Sequence, residues 1–257
     1  MPVRRLLKMV SRRAPRQARV PDDRLVYAVG DIHGRRDLLD ELLSRIEADR
    51  ARRAPAETLV IFLGDLIDRG PDSRGVVERL IDYAAGPVAC RFLMGNHEEV
   101  FLKALRGDLR ALRFLIRIGG RETILSYGID EEEYRALDFA ELMASLQARV
   151  PQSHVDFLAG FERWAEEGDY LFVHAGIRPG VPLEAQKDSD LRWIRDDFLR
   201  HREDFGRIVV HGHSISDDAD LRPNRIGIDT GAFASGKLTA IALQGGERWF
   251  LSTGPSA

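Results

Sequence analysis

The chain has 257 residues, 44% hydrophobic and 31% charged, with a formal net charge of -3. That composition is ordinary for a soluble protein and leaves room for one substantial α/β core or two small ones. The near-balanced charge argues against a nucleic-acid or membrane partner, and no apolar run approaches the roughly 18 residues of a membrane helix. The single cysteine, Cys90, excludes an internal disulfide and fits a reducing, cytoplasmic compartment.

The first 23 residues, MPVRRLLKMVSRRAPRQARVPDD, carry Arg4, Arg5, Lys8, Arg12, Arg13, Arg16 and Arg19 with no acid before Asp22. They lack the long apolar core and small-residue cleavage site of a secretory signal. The expected state is a solvated, partly disordered arm ending at Pro21, ahead of a single domain over 24–254. The other reading is an anionic-surface contact by a short basic turn containing Leu6, Leu7, Met9 and Val10.

Short apolar runs then recur, each ending in glycine and a polar residue. They are LVYAVGDIHG (25–34), TLVIFLGDLIDRG (58–70), PVACRFLMGNHEE (87–99), DYLFVHAG (169–176) and RIVVHGHS (207–214). RIGIDTGA, KLTAIALQ and ERWFLST follow closely enough to predict neighbouring antiparallel strands. Leu38, Leu39, Leu42, Leu43 and Ile46 make a helical stripe between the first two runs, and Val76, Val77, Leu80, Ile81 and Ala84 make another between the second and third. Strand, helix and strand in alternation imply parallel pairing, with the ligand beyond the carboxyl ends of the strands.

Residues 98–168 read as a helical insertion, with helices expected over 101–105, 109–118, 134–146 and 155–164. Arg106, Arg110, Arg113 and Arg117 are spaced by four, three and four, which places them on one helix face. Such a stripe is either a solvated face or a cationic wall for a phosphorylated partner.

The strand ends together offer Asp31, His33, Asp65, Asp68, Asn96, His97, His174, His211 and His213, five of the chain's seven histidines. Buried carboxylates and imidazoles side by side need a compensating charge, and a metal centre supplies it. Asp31 and His33, two apart in an extended segment, would point the same way and grip one cation. Gly30 and Gly34 would permit the tight backbone this requires. Carboxylate, amide and imidazole donors without thiolate suit Mn²⁺, Fe or Zn²⁺. So many donors fit two ions with a bridging carboxylate, which would clamp an in-line displacement and activate a bridging water near pH 7. Arg69 is placed to grip phosphate bidentately.

The ordered set GDIHG (30–34), GDLIDRG (64–70), GNHE (95–98), HAG (174–176) and GH (212–213) resembles the calcineurin-like metallophosphoesterases, and more narrowly the phosphoprotein phosphatases. DLRWIRDD and IDTGA are similar to segments of the bacterial and bacteriophage lambda phosphatase-like branch. The resemblance implies an α/β fold of two mixed sheets packed face to face and flanked by helices. It implies that Asp31, His33 and Asp65 hold a first metal, and that Asp65, Asn96, His174 and His213 hold a second, with Mn²⁺ expected. His97 would be the general acid, oriented by Asp68. Arg69, Arg195 and Asn96 would bind the substrate phosphate, and a metal-bridged hydroxide would attack phosphorus directly. Ile215 stands where many metallophosphoesterases carry a further histidine, which fits the phosphatase branch; His211 has no ligand counterpart there.

The expected function is therefore a serine/threonine protein phosphatase acting on a phosphorylated protein. Asp68 and Glu98 favour this over the symmetrical diadenosine tetraphosphate hydrolase that shares the core. A catalytically silent phospho-binding module is the reading from another class, opposed by the presence of Asp65, Arg69 and His97. The sequence does not specify oligomeric state.

Overall fold

A computed structural model describes residues 17–254. Its first sheet has the order β10 (Glu247–Ser252), β9 (Thr239–Gln244), β1 (Arg24–Val29), β2 (Glu57–Phe62), β3 (Ala89–Phe92). Strands β1, β2 and β3 are parallel, connected by α1 (Arg36–Arg53) and α2 (Ser73–Ala84), while β9 and β10 close the edge antiparallel. The second sheet has the order β4 (Ala165–Glu167), β5 (Tyr170–Val173), β6 (Ile208–His211), β8 (Arg225–Gly227), β7 (Asp220–Leu221), with β5, β6 and β8 parallel.

The period-two alternation of strand side chains assigns each residue to a layer. Val26, Ala28, Leu59 and Ile61 pack against Tyr170, Phe172, Val210 and Ile226 between the sheets. Leu25, Tyr27, Val29, Val60 and Phe62 face the other way, onto the buried stripes of α1 and α2. Leu171, Val173 and Val209 cover the outer face of the second sheet with Leu191, Ile194 and Phe198. The expected pair of mixed sheets flanked by helices is the architecture observed.

Register positions the site. Val29 pairs with Phe62 and Phe62 with Phe92, so three strands of the first sheet end level. Val173, His211 and Gly227 are level in the second sheet. The polar residues that follow each strand emerge along these two edges.

Several local expectations need correction. RIGIDTGA does not neighbour KLTAIALQ: β8 belongs to the second sheet, beside β6, whereas β9 pairs with β1 in the first. The insertion contains α3 (Asn96–Leu105), α4 (Leu109–Leu115), a π-helical turn (Ile116–Gly120), α5 (Arg121–Ser126), α6 (Glu131–Ala136), α7 (Phe139–Arg149) and α8 (Gln152–Ala159). The helix expected over 134–146 is divided at Asp138, whose side chain accepts the amides of Ala140 and Glu141 and starts α7. The helix expected over 155–164 ends at Gly160, and 165–167 is an edge strand of the second sheet. Arg106 caps α3, and Gly107 with φ 96° separates it from α4, so the arginine stripe does not occupy one continuous helix.

The arm expected over 1–23 is ordered at its inner end. Val20 is buried between the sheets, its N–H donating to Gly245 O at 3.0 Å, and Arg19 O accepts from Asp169 N–H at 2.8 Å. Arg19 N–H also donates to Asp169 Oδ2 at 2.9 Å and Gln17 Nε2–H to Gly246 O at 2.7 Å, so hydrogen bonds on both sides hold this stretch beside the buried Val20. Residues 1–16, including Leu6, Leu7, Met9 and Val10, lie outside the described residues. Among the described residues no helix is long and apolar enough to cross a membrane.

Candidate metal and phosphate site

Asp31, His33, Asp65, Asp68, Asn96, His97, His174 and His213 are all buried and meet where the two strand edges converge. His33, Asp65 and His97 form one cluster with metal-ligand spacing, and Asp65, His174 and His213 form a second, so Asp65 is common to both. Asp65 Oδ2 lies 3.7 Å from His33 Nε2 and 3.8 Å from His97 Nε2, and Asp65 Oδ1 lies 3.4 Å from His174 Nε2. Asn96 Oδ1 is 3.0 Å from His174 Nε2.

The imidazoles are oriented from behind. His33 Nδ1–H donates to Ile67 O and His174 Nδ1–H to Leu63 O, both at 2.8 Å, which turns each Nε2 toward Asp65. Carbonyl partners of this kind fix the tautomer of a ligating histidine. Asp31 is reached differently from the expectation. His33 has φ 47°, so Asp31 and His33 do not share an extended segment, and Asp31 belongs to neither cluster. Its carboxylate instead accepts the His213 N–H at 3.0 and 3.2 Å. A Cβ on Gly212 would lie 2.1 Å from Asp31 Oδ1, so only glycine allows this approach.

Asn96 and His97 open α3 rather than an extended segment, because Gly95 is an extended N-cap and Glu98 reaches back to its N–H at 3.1 Å. Their side chains therefore diverge by roughly 100°, one helical step, not by a half-turn. His97 Nδ1–H donates to Asp68 Oδ2 at 2.6 Å. Arg69 spans the two imidazoles, with Nη1 3.0 Å from His33 Nε2 and Nη2 3.1 Å from His97 Nε2. Arg195, expected at the phosphate, is exposed at the start of the helical turn Asp196–Leu199.

Backbone strain marks the same place. Among the described residues six non-glycine positions have positive φ, and five of them are His33, Asp65, Asp68, Arg69 and His213. Left-handed backbone at β-carbon residues costs of order 1–3 kcal/mol each and persists where surrounding bonds over-determine it. Glu98 is one such constraint, accepting the amides of Asp65 and Leu66 at 2.8 Å each. Burial and the nearby Asp65 push the Glu98 carboxyl up to about 7.

The charges are unbalanced in a telling way. Burial, Asp229 and Asp65 together raise the Asp31 carboxyl well above the usual range. Burial would also raise Asp65, but His174, His97 and His33 outweigh it and hold Asp65 well below. Burial drives the His33 imidazole down to about 3. Burial, with the charges of His174 and Arg195 adding to it, takes His213 to about 2. His213 Nε2 is buried with no hydrogen-bond partner. Crowded carboxylates, the His33 and His213 imidazoles driven toward neutral by burial, and an unpartnered ring nitrogen fit divalent cations with oxygen and nitrogen donors.

Asp229 was not among the residues singled out from the sequence, though it stands two residues after β8 and is 2% exposed. The strand-end "GID" before Thr230 was its signal. Ser73 and Thr123, both fully buried against Asp68, carried none. His211 sits behind the cluster: Arg225 Nη1 donates to its Nε2 at 3.2 Å, Nδ1–H donates to Gly212 O, and burial takes its pKa down to about 4.

Two mixed sheets whose aligned edges gather two histidine–aspartate clusters around one shared carboxylate define a metallophosphoesterase. The calcineurin-like phosphoesterase family model matches residues 25–237. Serine/threonine-protein phosphatase 1 of Salmonella typhimurium is 31% identical over 86% of this chain and 93% of its own. The symmetrical bis(5'-nucleosyl)-tetraphosphatase of Delftia acidovorans is 33% identical over 60% of this chain, which spans 45% of that protein. A solved structure, provisionally assigned as a diadenosine tetraphosphatase, superposes with a TM-score of 0.62 over 93% of this chain and 98% of its own at 20% identity. The chain belongs to the calcineurin-like phosphoesterases, a family of dinuclear divalent-metal hydrolases.

Proposed function

We propose that the protein is a serine/threonine protein phosphatase. The observation that carries this reading is the buried Asp68–His97 pair, with His97 Nε2 facing the Arg69 guanidinium. A serine or threonine alkoxide is a poor leaving group and needs a proton as the bond to phosphorus breaks; a nucleotide phosphate leaving group needs one far less. A buried imidazole held by a carboxylate is a device for the first task.

Asp31, His33 and Asp65 would hold one divalent ion and Asp65, Asn96, His174 and His213 the other, and the pair supplies, when bound, Lewis acidity and an activated water. Mn²⁺ is the proposed metal, with Fe or Zn²⁺ as alternatives. Arg69 grips the phosphate through two parallel donors, assisted by Asn96 and by Arg195 from the rim. His97 gives its proton from Nε2 to the leaving oxygen, and Asp68 keeps the other ring nitrogen protonated. Burial alone would lower the His97 pKa, but Asp65 and the bond to Asp68 outweigh it and hold it above the usual value.

The flank of the site suits a protein substrate. Trp193 lies 6.4 Å from the His213 ring and 5.8 Å from Phe114, and Arg117 covers Phe114 at 5.3 Å. Arg113 covers the exposed Phe139 at 4.7 Å. Arg106, Arg110, Arg113 and Arg117 are exposed and make no ion pair within the described residues. Cations over aromatic rings, leading outward from the site, complement an acidic phosphopeptide.

Turnover of a phosphoserine peptide, a phosphotyrosine peptide and diadenosine tetraphosphate, measured side by side, tests the reading. The phosphoserine peptide should have the highest kcat/KM; a much higher value for the dinucleotide would refute the assignment. Joint Arg110→Glu and Arg113→Glu substitution should raise KM for phosphoproteins several-fold more than for a small aryl phosphate. Equal effects would reduce the stripe to a solvated face.

A further inference from the structure

Asp68 is held by two hydroxyls that come from different parts of the chain. Its N–H donates to both Ser73 Oγ and Thr123 Oγ1 at 2.9 Å, and Thr123 Oγ1 lies 2.5 Å from Asp68 Oδ1. Ser73 Oγ and Thr123 Oγ1 are 2.8 Å apart, and both residues are fully buried. Ser73 opens α2, whereas Thr123 lies in α5 of the helical insertion.

The protons in this chain have one consistent arrangement. A threonine hydroxyl has one proton, and the ionised carboxylate can only accept, so Thr123 O–H donates to Asp68 Oδ1. The Ser73 proton must then donate to Thr123 Oγ1. With Oδ1 occupied, Oδ2 is the oxygen left for His97 Nδ1–H at 2.6 Å. The Nδ1 proton of His97 is thereby held by Asp68, and Nε2, the nitrogen turned to Arg69, is the one that would carry the proton delivered to the leaving oxygen. Threonine suits the post because its branched β-carbon stiffens χ1.

The insertion holds Arg69 from the same side. Arg69 N–H donates to Gly119 O at 2.8 Å, and a Cβ on Gly119, which has φ 113°, would lie 2.6 Å from Arg69 Cγ. The kink at Gly119 thus seats the arginine while α5 seats the aspartate.

We propose that Thr123 is a positioning residue for proton delivery. Its hydroxyl locks the Asp68 carboxylate, and through it the His97 ring, in the orientation the leaving oxygen requires. The helical insertion is then a working part of the catalytic apparatus rather than only a cap. This inference rests on the reading of His97 as general acid.

The test compares Thr123→Val, Thr123→Ser, Ser73→Ala and His97→Asn in the metal-loaded enzyme, using a phosphoserine peptide and nitrophenyl phosphate. Thr123→Val should lower kcat on phosphoserine about 10-fold further than on nitrophenyl phosphate, a fraction of the 10²–10⁴ a general acid supplies, with KM changed little. Thr123→Ser should restore most of the loss, and Ser73→Ala should act in the same direction more weakly. In metal-free protein, the hydrogen-bonded His97 Nδ1 proton should shift upfield in the nuclear magnetic resonance spectrum of Thr123→Val. If Thr123→Val does not fold, Ser73→Ala decides by the same two readouts. Equal losses on both substrates, or no recovery with serine, would overturn the positioning role while His97→Asn still discriminated between substrates. If His97→Asn itself failed to discriminate, the general-acid reading would fall and the inference with it.

Discussion

Asp65 and His174 come from different sheets, yet Asp65 Oδ1 and His174 Nε2 lie 3.4 Å apart. Asp65 follows β2 of the first sheet and His174 follows β5 of the second, so this contact exists only because the sheets pack face to face. The other Asp65 oxygen faces His33 on its own sheet at 3.7 Å. One carboxylate thus looks into both clusters.

This geometry predicts a strict requirement for divalent metal, with activity lost on chelation and restored best by Mn²⁺. Asp65→Asn should lower metal content and activity more than Asp31→Asn, since it removes the one carboxylate common to both clusters. Its effect on metal affinity should exceed the about 10–100-fold typical of substitutions behind a ligand. Elemental analysis after dialysis, beside turnover, reads both effects. Full activity in demonstrably metal-free protein would disprove the requirement.

Replacing His97 tests the leaving-group argument. His97→Asn should cut phosphoserine turnover by about 10²-fold or more and nitrophenyl phosphate turnover far less, because nitrophenolate departs without a proton. Bound metal should stay unchanged by elemental analysis. Equal losses with metal retained would leave His97 an electrostatic role only.

Acid sensitivity of the fold should trace in part to His154, remote from the site. It is buried, its Nδ1 3.0 Å from the Tyr127 hydroxyl, and the charges of Glu78 and Arg74 act on it. Burial lowers its pKa; Arg74 acts in the same direction and Glu78 against it. The unfolded chain therefore takes up this proton first as pH falls. The neutral ring's stabilisation is complete above the unfolded value of about 6.5 and declines below it, toward the folded pKa. The melting temperature should drop between pH 7.5 and 5, and the drop should be shallower in His154→Gln. Identical slopes for the two proteins would rule the contribution out.

Much of the site was legible before folding because its residues sit at fixed offsets from strands with a strong apolar signature. Val29, Phe62 and Phe92 end level in register, so the motifs after them had to share an edge. The helix stripe from Leu38 to Ile46 is buried as its spacing required. These are local properties: chain direction, period and glycine placement determine them within a dozen residues.

Other features depend on which distant surface a segment meets. Whether β8 joins β6 or β9 turns on sheet packing, since both partners offer the same backbone donors and acceptors. Asp229 and Thr123 resemble any polar residue in their segments until folding brings one to Asp31 and the other to Asp68. The helical start at Asn96 depends on Glu98 capping Gly95 while the same carboxylate clamps the amides of Asp65 and Leu66. The sequence alone determined the ligand types, their order and the strand edges that carry them. The tertiary structure decided their mutual distances, the tilt of each ring and the buried hydroxyls behind them, because those arise from contacts between residues tens of positions apart, which no local periodicity encodes.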